Sequence, residues 1–317
     1  MSTAAPVAPR VASLPLRRAP SVAAVPRAES LARIADYLSL TKPRIAAMVL
    51  VTVSVGYAVG CAGEFDLPGL LDALAGIGLV AAGSSALNQW LERRTDGRMF
   101  RTVNRPLPAG RIHPLEALVF GVLLGVAGSV WLLLRVNGLT AALTVATLLM
   151  YVGLYTPLKR RTSLCTAIGA IPGALPPVLG WTAAGGELNA SALALFGILF
   201  LWQFPHFLAI AWLYREDYRL GGLRMLPRHP QGTVVGRLAV TYALVLIPVS
   251  LLPRVAGFAG DGYFLAALVL GLGYLLAAVA FAREESRKRA RRLLWASLIY
   301  LPVLLAALTI DHWRLLN

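Results

Sequence analysis

The sequence predicts an all-α, polytopic membrane protein with nine transmembrane helices. Three observations carry that expectation. Of the 317 residues, 57% are hydrophobic and only 14% are charged, where a soluble domain carries about 25% charged residues. The apolar residues fall in runs close to the roughly 20 residues that a bilayer-crossing helix needs. No segment alternates polar and apolar residues with period two, which argues against a transmembrane barrel.

The elements follow in order. Residues 1–40 are rich in Ala, Pro and Arg, poor in acids, and hold Pro6, Pro9, Pro15, Pro20 and Pro26. Proline at that density opposes a stable helix, so a disordered cytoplasmic tail is expected. A transit peptide, also Arg-rich and acid-poor, is the alternative. Residues 41–317 read as one membrane domain. Its nine spans are expected near 45–63, 69–90, 115–134, 139–156, 164–183, 191–213, 238–252, 263–282 and 293–310.

The net charge of +15 fits this topology. With these spans, 27 of the 30 Lys and Arg residues lie in the tail or in the loops after spans two, four, six and eight. Arg135, Arg254 and Arg314 alone lie on the other side. Basic residues collect in cytoplasmic loops, so the N-terminus is expected in the cytoplasm. The charge therefore marks orientation in a bilayer rather than a nucleic-acid partner. Cys61 and Cys165 fall at opposite faces, which argues against a disulfide and a cysteine metal cluster.

Candidate chemistry gathers at the cytoplasmic ends of spans two, four and six. After span two, Asn88, Glu92 and Asp96 stand at i, i+4 and i+8. Each such step turns a helix by about 40°, so the three share one stripe. Hard oxygen ligands on one stripe suit Mg²⁺, which keeps waters and substrate phosphates as its other ligands. Arg98, Arg101 and Arg105 follow at three- and four-residue spacing, and guanidinium forks match phosphate. Carboxylates near a span are costly and tend to be functional. Single loop arginines are equally well explained by topology.

Span four ends in Tyr155-Thr-Pro-Leu-Lys159-Arg160-Arg161, where Lys159 could neutralise a departing phosphate. Span five carries Pro172, Pro176 and Pro177 among several glycines. Prolines interrupt spans where they line a cavity. Span six carries Trp202-Gln-Phe-Pro-His206-Phe207, and the next loop carries Tyr214-Arg215-Glu216-Asp217-Tyr218. That loop echoes the first, four spans later, which suggests a weak internal repeat. Packing of the two halves would bring both acidic loops together and let Asp217 hold a second Mg²⁺.

These segments together resemble the UbiA prenyltransferase superfamily. Its Asn-x-x-x-Asp-x-x-x-Asp pattern matches Asn88, Glu92 and Asp96, with Glu for the first Asp, and its tyrosine–lysine pair matches Tyr155 and Lys159. More narrowly, "NRPLPAGRI", "YTPLKRRT", "GAIPGALPPVLGWTAA" and "WQFPHFLAIAWLYREDYRLGG" resemble its heme-modifying branch. The second loop departs from the wider superfamily, with the adjacent pair Glu216-Asp217 in place of Asp-x-x-x-Asp. That departure suits the heme-type branch.

The resemblance implies a UbiA-type helical bundle with farnesyl diphosphate and heme B as substrates. Mg²⁺ on Asn88, Glu92, Asp96 and Asp217 would bind the diphosphate. Arg98, Arg101, Arg105, Lys159, Arg160 and Arg215 would meet its charge, with Tyr155 and Tyr218 beside them. His206, with Trp202, Phe204 and Phe207, would line the porphyrin side. A heme vinyl group would attack the farnesyl cation, and water would complete the addition. A UbiA enzyme with a quinone precursor or chlorophyllide as acceptor is the rival reading. A transporter would need polar groups near the midplane, and a heme chaperone would leave the Asn–Glu–Asp stripe without a purpose. A bacterial inner membrane is expected over a mitochondrial one, with a heme A synthase or an oxidase assembly protein as the candidate partner.

Overall fold

The computed structural model describes residues 26–61, 64–226 and 234–316. All regular structure among them is helical. Helix α1 (Pro26–Thr41) is followed after one residue by α2 (Pro43–Gly60), then α3 (Leu67–Asp96), α4 (Pro114–Arg135) and α5 (Gly138–Leu158). Two short helices come next, α6 (Cys165–Ala174) and α7 (Pro176–Ala183). The chain continues with α8 (Ala190–Leu213), the short α9 (Arg215–Leu220), α10 (Val234–Val255), α11 (Asp261–Arg283) and α12 (Arg287–Leu316).

Eight of these helices are long and apolar enough to cross a membrane: α2, α3, α4, α5, α8, α10, α11 and α12. The segment expected as the fifth span is the α6–α7 pair, broken at Leu175, and neither half is long enough to cross alone. The break sits at the Pro176-Pro177 pair. A proline has no N–H to give the carbonyl four residues back, and its ring clashes with it.

The expected disordered tail needs correction over 26–40, which is helix α1; residues 1–25 lie outside the described residues. Four of the five prolines precede this helix and Pro26 is its first residue, where proline is tolerated. Leu40 is fully buried beside Ala86, Leu107 and Ile112. Arg33 and Tyr37 both bond Glu116 of α4, and Arg111 grips Asp36. Leu31, Ile34 and Leu38 stay exposed on one stripe. A helix with such a stripe suits the headgroup–acyl boundary of a membrane.

Helix starts carry legible signals. Asp66, Asn137 and Asn189 each accept a first-turn N–H with their side chains, relieving donors that no helical carbonyl can reach. Between the helices, small residues set the spacing. Gly76 and Gly83 of α3 face Gly128, Gly121 and Gly125 of α4. Two glycines bring α2 and α7 into backbone contact: a Cβ on Gly56 would strike the Pro177 carbonyl, and one on Gly180 the Val53 carbonyl. In lipid, where apolar surface gains little by leaving the tails, this close packing is the main adhesive.

Replacing Gly56 with valine must therefore push α2 off α7. Gly56→Val is expected to cost about 1–3 kcal/mol, the usual penalty of overpacking. Thermal unfolding of the detergent-solubilised protein checks this, with a Gly78→Val control at a looser position, where the nearest atoms to a Cβ lie 3.6 Å away.

Candidate active site

At the end of α3, Asn88, Glu92 and Asp96 are all buried. Their helical spacing puts them on the side that meets the α1–α2 corner and the end of α5. Each of the three side chains meets a positive group of the chain through one oxygen. Lys42 Nζ donates to Asn88 Oδ1 at 2.8 Å. Lys159 Nζ donates to Glu92 Oε1 at 2.9 Å. Arg105 NH1 donates to Asp96 Oδ2 at 2.7 Å.

Three pieces of local structure deliver those cations. Lys42 is the single residue between α1 and α2. Lys159 follows a π-helical turn, Met150–Tyr155, inside α5. Such turns recur at functional sites. The Thr156 hydroxyl, just past it, donates to the Tyr151 carbonyl at 2.8 Å and accepts from Asn88 Nδ2 at 3.0 Å. Arg105 is turned back by the loop after α3, where Thr102 Oγ1 donates to the Asp96 carbonyl at 2.8 Å.

Tyr155 stands beside Lys159, whose Nζ lies 4.4 Å from the ring centroid. Its other side leans on Gly169 of α6, where any side chain would collide with the ring. Burial opposes the charge on Lys159, but Tyr155 and Glu92 outweigh it and hold the ammonium above the ordinary lysine range. For Lys42 burial prevails and moves the ammonium below that range.

The two loops meet as the repeat reading anticipates. The Arg101 guanidinium lies 4.7 Å from the Tyr214 ring centroid and 5.8 Å from that of Tyr218. Gly221 packs on Met99 and Thr95. Arg160 donates to Thr95 Oγ1, one turn from Glu92. Beside it opens a cleft of about 350 Å³ lined by Arg160, Arg215, Tyr218, Arg219 and Arg224.

Other expected residues lie apart from the stripe. Arg98 is exposed. Arg215 folds back on the end of α8, over the Trp212 ring and onto the Trp212 carbonyl. Asp217 is half-buried on α9, and no three His, Cys, Asp or Glu are grouped to hold a metal among the described residues. His206 faces α12, with Nδ1 at 2.7 Å from Ser297 Oγ and the ring stacked on Trp202 at 4.9 Å. Ser297 Oγ also lies within hydrogen-bonding reach of the Leu294 carbonyl. These contacts hold the imidazole ring in place.

A family model described as the UbiA prenyltransferase family matches residues 49–301. The chain belongs to the UbiA prenyltransferase family. Among curated relatives it is 47% identical over 287 residues to a protoheme IX farnesyltransferase of Solibacter usitatus, covering 87% of this chain and 98% of that one. It is 45% identical over 301 residues to a protoheme IX farnesyltransferase of Koribacter versatilis, covering 91% and 97%. Among solved structures, a digeranylgeranylglyceryl phosphate synthase aligns with a TM-score of 0.76 at 19% identity, covering 89% of this chain and 99% of that one. A UbiA homolog from Archaeoglobus fulgidus, bound to DMAPP and Mg²⁺, aligns at 0.61 with 14% identity, covering 87% and 99%. These distant structures share the fold.

Within the UbiA frame, the donor set suits a hard divalent cation. Asn88, Glu92 and Asp96 offer oxygens only, and each already attracts a cation of the chain. Two carboxylates and an amide are few for a closed cage, which fits Mg²⁺ sharing its shell with water and diphosphate. Sequence reasoning missed Lys42, Thr156 and Thr95. Lys42 sits among basic residues that topology alone explains, and the two threonines carry no charge to attract notice.

The Lys159–Glu92 pair is almost dry, with side chains 11% and 12% exposed. Lys159→Met strands a buried carboxylate, so it is expected to cost about 3–5 kcal/mol, whereas Lys159→Met/Glu92→Gln recovers most of the loss. Thermal unfolding of both variants checks this, and equal losses would show that the pair does not act as a unit.

Proposed function

We propose that this chain transfers a farnesyl group from farnesyl diphosphate to a vinyl group of protoheme IX, with addition of water, giving heme O and diphosphate. The observation that carries the reading is the buried Asn88–Glu92–Asp96 stripe, with a cation on each member. Near-full-length relatives named protoheme IX farnesyltransferase supply the acceptor.

Asn88, Glu92 and Asp96 would hold Mg²⁺, with Asp217 available to a second ion from the facing loop. When bound, Mg²⁺ neutralises the diphosphate and improves it as a leaving group. The chain does the rest. Lys159, Arg105 and Arg160 face the charge that grows as the allylic C–O bond breaks and its electron pair leaves with the diphosphate. Fixed cations in a water-poor site need no reorganisation at that moment. The vinyl group gives its π electrons to the farnesyl carbon. Water then captures the cation beside the porphyrin and loses a proton, leaving a hydroxyl.

Heme B brings two carboxylates, and the arginine-lined cleft beside Arg160 suits them. His206 and Trp202 suit the porphyrin side, with the imidazole held between Trp202 and Ser297. The N-terminus is read as cytoplasmic from the 27-of-30 asymmetry of basic residues, in a bacterial plasma membrane. There a heme A synthase or an oxidase assembly protein would receive the product.

Heme B, farnesyl diphosphate and Mg²⁺ added to the purified protein are expected to yield a heme heavier by a farnesyl group and a hydroxyl group. Chromatography with mass spectrometry reads it. Chelation of Mg²⁺ is expected to stop the reaction, and Asp96→Asn to slow it at least about 100-fold. Unchanged heme beside a prenylated aromatic acceptor would overturn the choice of acceptor.

A further inference from the structure

Lys42 holds a backbone conformation that lysine does not favour. Its φ of 50° and ψ of 62° lie in the left-handed region, where a Cβ crowds the following carbonyl. It also precedes Pro43, which restricts it further. It is the single non-glycine residue with positive φ among the described residues.

Such strain persists where the surroundings impose it, and here they do. Gln89 Nε2 donates to the carbonyls of Ser39 and Leu40 at 3.0 and 3.1 Å, clamping the end of α1. On the other side, the Ile45 and Ala46 N–H groups close the first turn of α2 on the Lys42 carbonyl. The chain must turn at residue 42. Glycine would make that turn without strain. A lysine there points to a need for its side chain.

The side chain has a definite place. Its ammonium bonds Asn88 Oδ1, while Asn88 Nδ2 is tied to Thr156. The two bonds fix which end of the amide faces which way. Lys159 and Arg105 each neutralise a carboxylate, but the partner of Lys42 is an uncharged amide. Tyr151, Arg105, Lys159 and Glu92 are the titratable or charged groups around it. An ammonium has three donors, so two remain after Asn88.

We propose that Lys42 is a further substrate-binding residue: it orients Asn88 and turns its remaining donors and its uncompensated charge to the diphosphate. This rests on the Mg²⁺–diphosphate reading of the stripe. The neighbouring Gln89 clamp then serves as the device that keeps the ammonium in place.

Binding without turnover tests it. The full-length protein in detergent is titrated with inorganic diphosphate in Mg²⁺, and separately with Mn²⁺ alone, read by its electron paramagnetic resonance. Lys42→Gly removes the charge while easing the turn, which offsets the lost bond to Asn88, so it is expected to melt close to the wild-type temperature. Its diphosphate affinity should fall about tenfold or more, as expected for a lost charged hydrogen bond. Its Mn²⁺ affinity should change far less, because Glu92 and Asp96 keep their places and the loss of a repelling neighbour offsets the freed Asn88. Lys42→Arg should recover most of the diphosphate affinity, and Lys42→Met should repeat the loss in a second neutral variant. Wild-type diphosphate affinity in both neutral variants would overturn the role of Lys42. A wild-type protein that binds no diphosphate in Mg²⁺ would overturn the underlying site reading.

Discussion

Two carboxylates and an amide buried at one end of a membrane helix set the terms for everything around them. An ionised carboxylate withdrawn from water and left alone is strongly destabilising, and it becomes tolerable only with a cation in hydrogen-bonding contact. Each cation comes from a different part of the chain, and each route required a structural concession. The α1–α2 corner adopts a left-handed lysine, α5 takes a π turn, and the loop after α3 doubles back to bring Arg105 to Asp96. The site and the fold around it are thus one electrostatic problem. The same oxygens that would hold a metal also fasten three otherwise distant segments together.

Backbone proximity supports that arrangement from the membrane interior. Glycines let α3 lie close on α4 and α2 on α7, which leaves little freedom for these helices to slide. A site on helix ends inherits the precision of the helices that carry it. Breaking the fifth expected span at Leu175 adds a second benefit. The α6 half is free to present Gly169 beneath the Tyr155 ring, while the α7 half packs on α2.

The sequence exposes what depends on local period and composition. Span positions follow from apolar runs, and the stripe of Asn88, Glu92 and Asp96 follows from four-residue spacing. Lys159, Arg105 and the contact between the two loops were readable from charge placed beside those spans. What stayed hidden depends on tertiary context. Residues 26–41 look like part of a proline-rich tail, yet Leu40, Asp36 and Arg33 dock on partners about 50 to 80 positions away. Lys42 looks like one more topological charge until its turn is seen. Asp217 belongs to the loop that echoes the first, but it is carried on a separate short helix and stays off the stripe. The π turn has no compositional mark, because its cause is the bonding of Thr156 on both sides.

That π turn also divides the labour within α5. One extra residue in a helical turn rotates everything after it by about 100° relative to an unbroken α-helix. Before the turn, the helix presents residues such as Leu139 and Leu149 to the outside. After it, Tyr155, Thr156 and Lys159 meet α3 and α6 on a face set by a different phase. The outward-facing stripe and the face that meets Glu92 are therefore no longer locked to one periodicity. The offset lets a helix with an outward-facing first half still bring Lys159 to Glu92.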